Sequence, residues 1–209
     1  THTHTHFPIS IMFKKFSKDD IHSRSNIKSS VQRGLKTNFV NAYPDLENAI
    51  DNIIPKKSQV ILIKCEDKIQ LYSVDNTNNP AKDGGNGSDS DDDNNEIVLI
   101  QHFTDLIPTL KTVHKYPELF PRVQVDRGAI KFVMSGANIM CPGLTSKGGK
   151  LPEEDLPVDT IVTVYAEGKE NALAIGKLAM SVDDIKKKNK GIGIELLHYL
   201  GDGLWNHKE

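Results

Sequence analysis

An α+β chain of two domains is predicted, an N-terminal α/β unit followed by a small closed or partly open β-barrel. Three observations carry the prediction. Near the N-terminus, apolar residues recur at helical spacing and then give way to long β-rich runs. The second half alternates short β-rich runs with one or two helical turns. Between the halves stands "YPELFP", whose two prolines mark a boundary in or just before it.

The elements follow in order. Ser17 and Asp20 form an S-x-x-D start signal, a cap followed by an acid in the first turn. Behind it Ile21, Ile27, Val31, Leu35, Phe39 and Val40 predict a helix over 18–42, ended by Pro44. Leu46, Ala49, Ile50, Ile53 and Ile54 predict a second, short helix that Pro55 stops. "QVILIKC" and "KIQLYSV" read as strands joined through Glu66 and Asp67, a hairpin. The stretch 75–96 has no periodicity and no apolar residue beyond Ala81, so it reads as a disordered acidic insert. "IVLIQHF" then resumes as a strand. A single hairpin with an inflated turn accounts for this, because loop closure costs grow only logarithmically with length.

After the boundary, "GAIKFVM" places Ala129, Ile130, Val133 and Met134 on one helical face, with Gly136 where a left-handed stop belongs. "ANIM", "TIVTVYAE", "NALAIGKLAM" and "GIELLHYL" read as strands, and "SVDDIKKKNKG" as a capped helical turn closed by Gly191. The expected domains are 12–117, including the insert, and 118–207. Residues 1–11 are expected to be a disordered extension ahead of a natural start at Met12. They lack a long apolar region and a cleavage site, so no secretory signal is expected. The alternating His2, His4 and His6 offer at most weak metal binding.

The chain has 209 residues, is 37% hydrophobic, and contains no apolar run long enough to cross a membrane. Its net charge of −2 hides an asymmetry. Seven acids stand against Lys82 alone in the insert, a balance of −6, which leaves +4 on the remainder. A mildly basic body suits an anionic partner such as RNA. Cys65 and Cys141 are far apart and in no C-x-x-C motif, so they read as buried hydrophobes in a reducing, cytoplasmic compartment.

Catalytic motifs fail on inspection. "GLTSKGGK" has Gly143 and Gly148 at P-loop spacing, but Gly149 stands where lysine must reach the phosphates. Ser135 and Ser146 have no G-x-S-x-G elbow, and no base can be assigned to Cys141. Glu153, Glu154 and Asp155 run beside prolines like a solvated loop. His22, His102, His114, His198 and His207 show no metal-ligand spacing. Neither a metal nor another cofactor is expected.

What remains is a binding site. Glycines let a backbone approach phosphate closely, and amides at a helix start donate to anions. Arg127 opens the helix, Lys131 lies a turn on, and Lys147 and Lys150 follow on the next loop. These four read as a cradle for a nucleic-acid backbone or a single-stranded end. The alternative for each is a solvated charge.

"VDRGAIKFVMSGANIMCPGLTS", with "GKLAMS" and "NKGIGIE", resembles a PUA domain, an RNA-binding module. "MFKKF", "IPKK", "HKYP" and "HYLGDGLW" narrow the resemblance to the malignant T-cell-amplified sequence, or translation-machinery-associated, family over Met12 to Trp205. The resemblance implies an N-terminal pre-PUA α/β domain and a C-terminal PUA pseudo-β-barrel, without catalysis. It implies a density-regulated-type SUI1-domain partner, binding to the small ribosomal subunit, and release of tRNA after termination with recycling and reinitiation. It also implies contact with the acceptor end of tRNA. Matched to this chain, the contacts are Arg127, Lys131, Lys147 and Lys150, with Gly128, Gly136 and Gly143 allowing close approach. The first helix adds Arg24 with Lys28 and Arg33 with Lys36 as local basic pairs facing RNA. The insert and the extension are unmatched, and Ser88 and Ser90 beside aspartates resemble acidophilic-kinase sites. Two rival readings are an RNA-modification accessory protein and a protein adaptor without RNA contact.

Overall fold

The computed structural model describes residues 13–75 and 95–208. The expectations for residues 1–12, for His2, His4 and His6, and for the body of the insert with Ser88 and Ser90 lie outside these residues. Two compact units form: one of residues 18–75 and 95–112 with 207–208, the other of residues 13–17 with Val113–Asn206.

In the first unit five strands form an antiparallel meander in the order β1-β2-β3-β4-β5. They are β1 (Ile21–Asn26), β2 (Val60–Cys65), β3 (Ile69–Asp75), β4 (Asn95–His102) and β5 (Asp105–Pro108). The predicted helix over 18–42 is corrected here. Residues 18–20 form one 3-10 turn, Ile21–Asn26 is a strand paired with β2, and the helix α1 covers only Ser29–Ala42. Backbone pairing to an apolar neighbour outweighs the helical spacing of Ile21 and Ile27.

The inflated hairpin is present, because β3 and β4 pair antiparallel up to Asp75↔Asn95. Asp75, Asn95 and Glu96, assigned to the insert from sequence, are therefore strand residues. Leu71–Val74 and Ile97–Ile100 are buried on successive positions, so these central strands are covered on both faces. The short helix α2 (Ile50–Ile53) follows a 3-10 turn at Pro44–Leu46. Tyr43, at the end of α1, donates its hydroxyl to the carbonyl of Leu106 at 2.6 Å, and burial pushes its phenol far above the usual range. Helix α3 (Leu110–Lys115) follows β5; neither element was anticipated from sequence.

The second unit is a mixed sheet of order β6-β8-β9-β10-β7. Its strands are β6 (Arg122–Val125), β7 (Ile139–Met140), β8 (Ile161–Ala166), β9 (Ala174–Leu178) and β10 (Ile192–Tyr199). β6 runs parallel to β8, and β7 pairs with β10 at the opposite edge. Inward residues Val123, Val125, Val162, Val164, Leu178, Ile194 and Leu196 share one core. Around it lie α4 (Ile130–Val133), α5 (Cys141–Thr145), α6 (Val182–Lys188) and α7 (Gly203–Asn206). The predicted strand "ANIM" shrinks to two residues before α5. Pro142 sits in the first turn of α5, where its missing N–H costs nothing. No helix among the described residues is long and apolar enough to cross a membrane.

Candidate nucleic-acid interface

The site is built around Asp126. Its side chain accepts from the amide of Ala129 at 2.9 Å and from the Ser146 hydroxyl at 2.6 Å. Its own amide donates to the carbonyl of Gly143 at 2.9 Å. One carboxylate thus caps the turn Arg127–Ala129 and ties it to α5. The helix ends as the sequence predicts. Gly136 has φ +85°, its amide bonds Val133, and the amide of Ala137 reaches back to Phe132.

Between this helix and α5 lies an open apolar groove of ≈ 510 Å³, lined by Gly128, Ala129, Phe132, Ile139, Met140 and Gly143 among others. Phe132 is 56% exposed and Met140 is 50% exposed. The Lys131 ammonium lies 5.0 Å from the centre of the Phe132 ring. An aromatic wall, an apolar floor and an adjacent cation can take a planar base and its phosphate. A Cβ at position 143 would meet Ala129 at 3.6 Å and Ile139 at 4.0 Å, so the absent side chain of Gly143 keeps the groove open.

The other predicted residues of this unit separate from the groove. Arg127 is exposed, and its amide donates to Glu167 at 3.2 Å. A Cβ at Gly168 would meet the Arg127 guanidinium at 2.8 Å. Gly148, at φ +100°, packs against the same Glu167 carboxylate. An acid therefore sits between Arg127 and the loop that carries Lys147 and Lys150. The backbone of Lys150 bonds Gln124 in both directions at 2.9 Å, and Gln124 also donates to Gly148. Gly148 and Gly149 of "GLTSKGGK" thus serve close packing of this loop, whereas Gly143 lines the groove. Gly136 packs likewise, with a Cβ there meeting the Tyr199 ring at 3.0 Å.

Arg24, Lys28, Arg33 and Lys36 belong to the other unit. The i, i+4 helical face assigned to Arg24 and Lys28 is corrected: Arg24 lies on β1, and Lys28 precedes α1. Arg33 is exposed on α1. Lys36 is tied to Asp51 and donates to the carbonyl of Ile54 at 2.9 Å, with 13% of its side chain exposed. It joins α1 to the α2 segment. Hydrogen bonds from Lys36 and then Lys56 hold the Asp51 carboxyl below its ordinary range. A carboxyl with a depressed folded value stabilises the fold above its unfolded value of 3.8, and the effect fades as pH falls through the folded one. Asp51→Asn is accordingly expected to lower the urea midpoint at about pH 7 and to lower it by less near about pH 3. An equal deficit at both values would contradict this.

Residues 15–81 match the Pre-PUA-like domain family and residues 121–200 the PUA domain family. The chain is 58% identical over 196 residues to Translation machinery-associated protein 20 of Saccharomyces cerevisiae, covering 93% of this chain and 98% of that protein. It is 44% identical over 199 residues to Malignant T-cell-amplified sequence 2 of Homo sapiens, covering 94% and 98%. The chain belongs to this family. Among solved structures, a hypothetical protein from Pyrococcus horikoshii OT3 superposes with a TM-score of 0.65 at 19% identity, covering 88% of this chain and 98% of that one. That likeness bears out the α+β fold, and the two family matches bear out its order, pre-PUA followed by PUA.

In this family member, sequence reasoning missed Phe132, Met140 and Glu167. Phe132 left a trace, since it is apolar yet lies off the face formed by Ala129, Ile130, Val133 and Met134. Glu167 left none, being forty residues from Arg127. Cys141 is fully buried, and burial pushes its thiol up. Its Sγ donates to the carbonyl of Lys190 at 3.5 Å, as a structural residue does.

Proposed function

We propose that this chain is a non-catalytic, cytoplasmic translation factor whose PUA domain holds the unpaired acceptor end of a tRNA on the small ribosomal subunit. With a density-regulated-type SUI1-domain partner it promotes tRNA release, which recycles the subunit after termination and supports reinitiation. The observation that carries this reading is the open apolar groove with its exposed Phe132 and the Lys131 cation beside it. A terminal base stacks on Phe132, Lys131 meets the adjoining phosphate, and Arg127 meets the strand outside the groove. Stacking supplies roughly 1–3 kcal/mol per base, and each phosphate contact adds counterion release. No bond is made or broken by the protein. The names of its relatives tie them to the translation machinery, which supports the ribosomal setting.

The test is release of deacylated tRNA from small subunits by this chain with its partner. Arg127→Glu combined with Lys131→Glu is expected to slow release about tenfold or more and to flatten its salt dependence. Unchanged release by a folded, partner-bound variant would sink the proposal.

A further inference from the structure

We propose that the lysine tract at the end of α6 is a second RNA contact, which tracks the backbone of a single strand leaving the groove. The inference rests on the groove reading above and extends it to residues outside the groove.

Helix α6 is capped by Ser181, whose hydroxyl accepts from the amide of Asp184 at 3.1 Å. It carries Lys186, Lys187 and Lys188 in its last turn and stops at Asn189, with φ 46°; Lys190 follows. Two of these lysines are engaged. Lys186 donates to the carbonyl of Pro152 at 3.0 Å, and Lys188 pairs with Asp184 at 3.7 Å. Lys187 and Lys190 are exposed, and neither side chain has a carboxylate partner among the described residues.

Lysines in a last turn are ordinarily explained by the helix dipole and by solvation. That explanation does not reach Lys190, which lies beyond the helix, nor the way the tract is held. Three ties fix it to the rim of the groove. Thr145 donates to the side chain of Asn189, the amide of Cys141 donates to the carbonyl of Gly191 at 2.9 Å, and Ile192 pairs with Met140 across β10 and β7. Met140 lines the groove, and its partner Ile192 is 40% exposed. An exposed apolar strip therefore runs from the groove to Lys190.

A single RNA strand fits this order of features. A base fills the groove, the next lies over Met140 and Ile192, and the phosphates beyond the terminal three nucleotides reach Lys190 and Lys187. An acidic peptide would satisfy the lysines alone, whereas the base–phosphate repeat also supplies the flat apolar faces that the groove and the strip require.

The experiment measures binding of the full chain to a fluorescent RNA trinucleotide and to a dodecanucleotide ending in the same three nucleotides, each with a free 3′ hydroxyl. Lys187→Glu with Lys190→Glu is expected to weaken the dodecanucleotide about tenfold, lower its salt slope, and leave the trinucleotide unchanged. Lys187→Gln with Lys190→Gln, which introduces no repulsion, should give a smaller loss in the same direction. Both positions are exposed, so thermal unfolding should match wild type. Dodecanucleotide binding unaffected by either variant overturns the inference while leaving the groove reading intact. Equal loss for both RNAs overturns it too, since the lysines would then act on the groove. Loss of binding to the SUI1-domain partner with RNA binding intact assigns the tract to protein and overturns it. Wild-type protein that binds neither RNA overturns the groove reading and this inference together.

Discussion

Asp202→Ala is expected to destabilise the C-terminal unit by about 3 kcal/mol, the cost of leaving buried partners unpaired. Asp202 and His198 are each 1% exposed. One Asp202 carboxylate oxygen accepts from the His198 ring at 2.7 Å and from the amide of Tyr199 at 2.9 Å. The other accepts from the amide of Trp205 at 2.8 Å, which caps α7. Alanine strands three donors at once. The effect should spread to residues 13–16, because α7 begins at Gly203, whose missing Cβ admits the backbone there: a Cβ would lie 2.8 Å from the carbonyl oxygen of Phe13. The Phe13 ring also packs 6.0 Å from that of His198. Urea denaturation measures the loss, and thermal unfolding should shift by roughly 6–12 °C for a unit in a chain of this size. Asp202→Asn, which keeps one acceptor oxygen, can serve the His198 ring and the Tyr199 amide but not the Trp205 amide, and should lose less than alanine without matching wild type. A loss under about 0.5 kcal/mol for alanine would mean that the cluster is already hydrated and contributes little.

The same cluster shows what sequence reading reaches and what it does not. "HYLGDGLW" marked the family, but its residue types alone did not reveal a buried carboxylate holding three donors. Strands with strong apolar patterns were legible: β2, β3 and β4 with the enlarged turn, and β8, β9 and β10. β1 was not, because "IHSRSN" is exposed along nearly its whole length and carries no apolar alternation. Its strand character comes from β2, through pairs such as Ser23↔Lys64 and Asn26↔Ile61. α5 was hidden by its own composition, since a proline and a glycine in five residues read as loop. At the candidate site, the helix start, its glycine stop and the residue types were legible. Sidedness was not. Whether Arg127 and Lys131 share one surface depends on Glu167, which long-range packing brings to the Arg127 amide, and on how the chain between residues 126 and 143 folds back on itself to line the groove.

Gly143→Val is expected to abolish most of the binding of an RNA 3′ end, with an affinity loss of about tenfold or more, while costing under about 1 kcal/mol of stability. The two halves of this prediction have separate physical grounds. Position 143 lies inside α5, and its backbone has no left-handed requirement, so valine meets no conformational penalty there and has a better helix propensity than glycine. Its first carbon meets Ala129 and Ile139 only at ordinary contact distances, 3.6 and 4.0 Å. The two further methyl groups then occupy space that the base would need. Gly143→Ala, which adds that first carbon alone, should bind with an intermediate affinity. Phe132→Ala removes the wall without filling the groove and should cost roughly 1–3 kcal/mol of binding. Occlusion by valine and loss of stacking by alanine are independent injuries to one site. If both reduce 3′-end binding while Lys147→Glu with Lys150→Glu does not, the groove is the contact and the basic loop a bystander. If valine at 143 binds as well as glycine, the base does not enter the groove, and the exposed Phe132 needs another occupant.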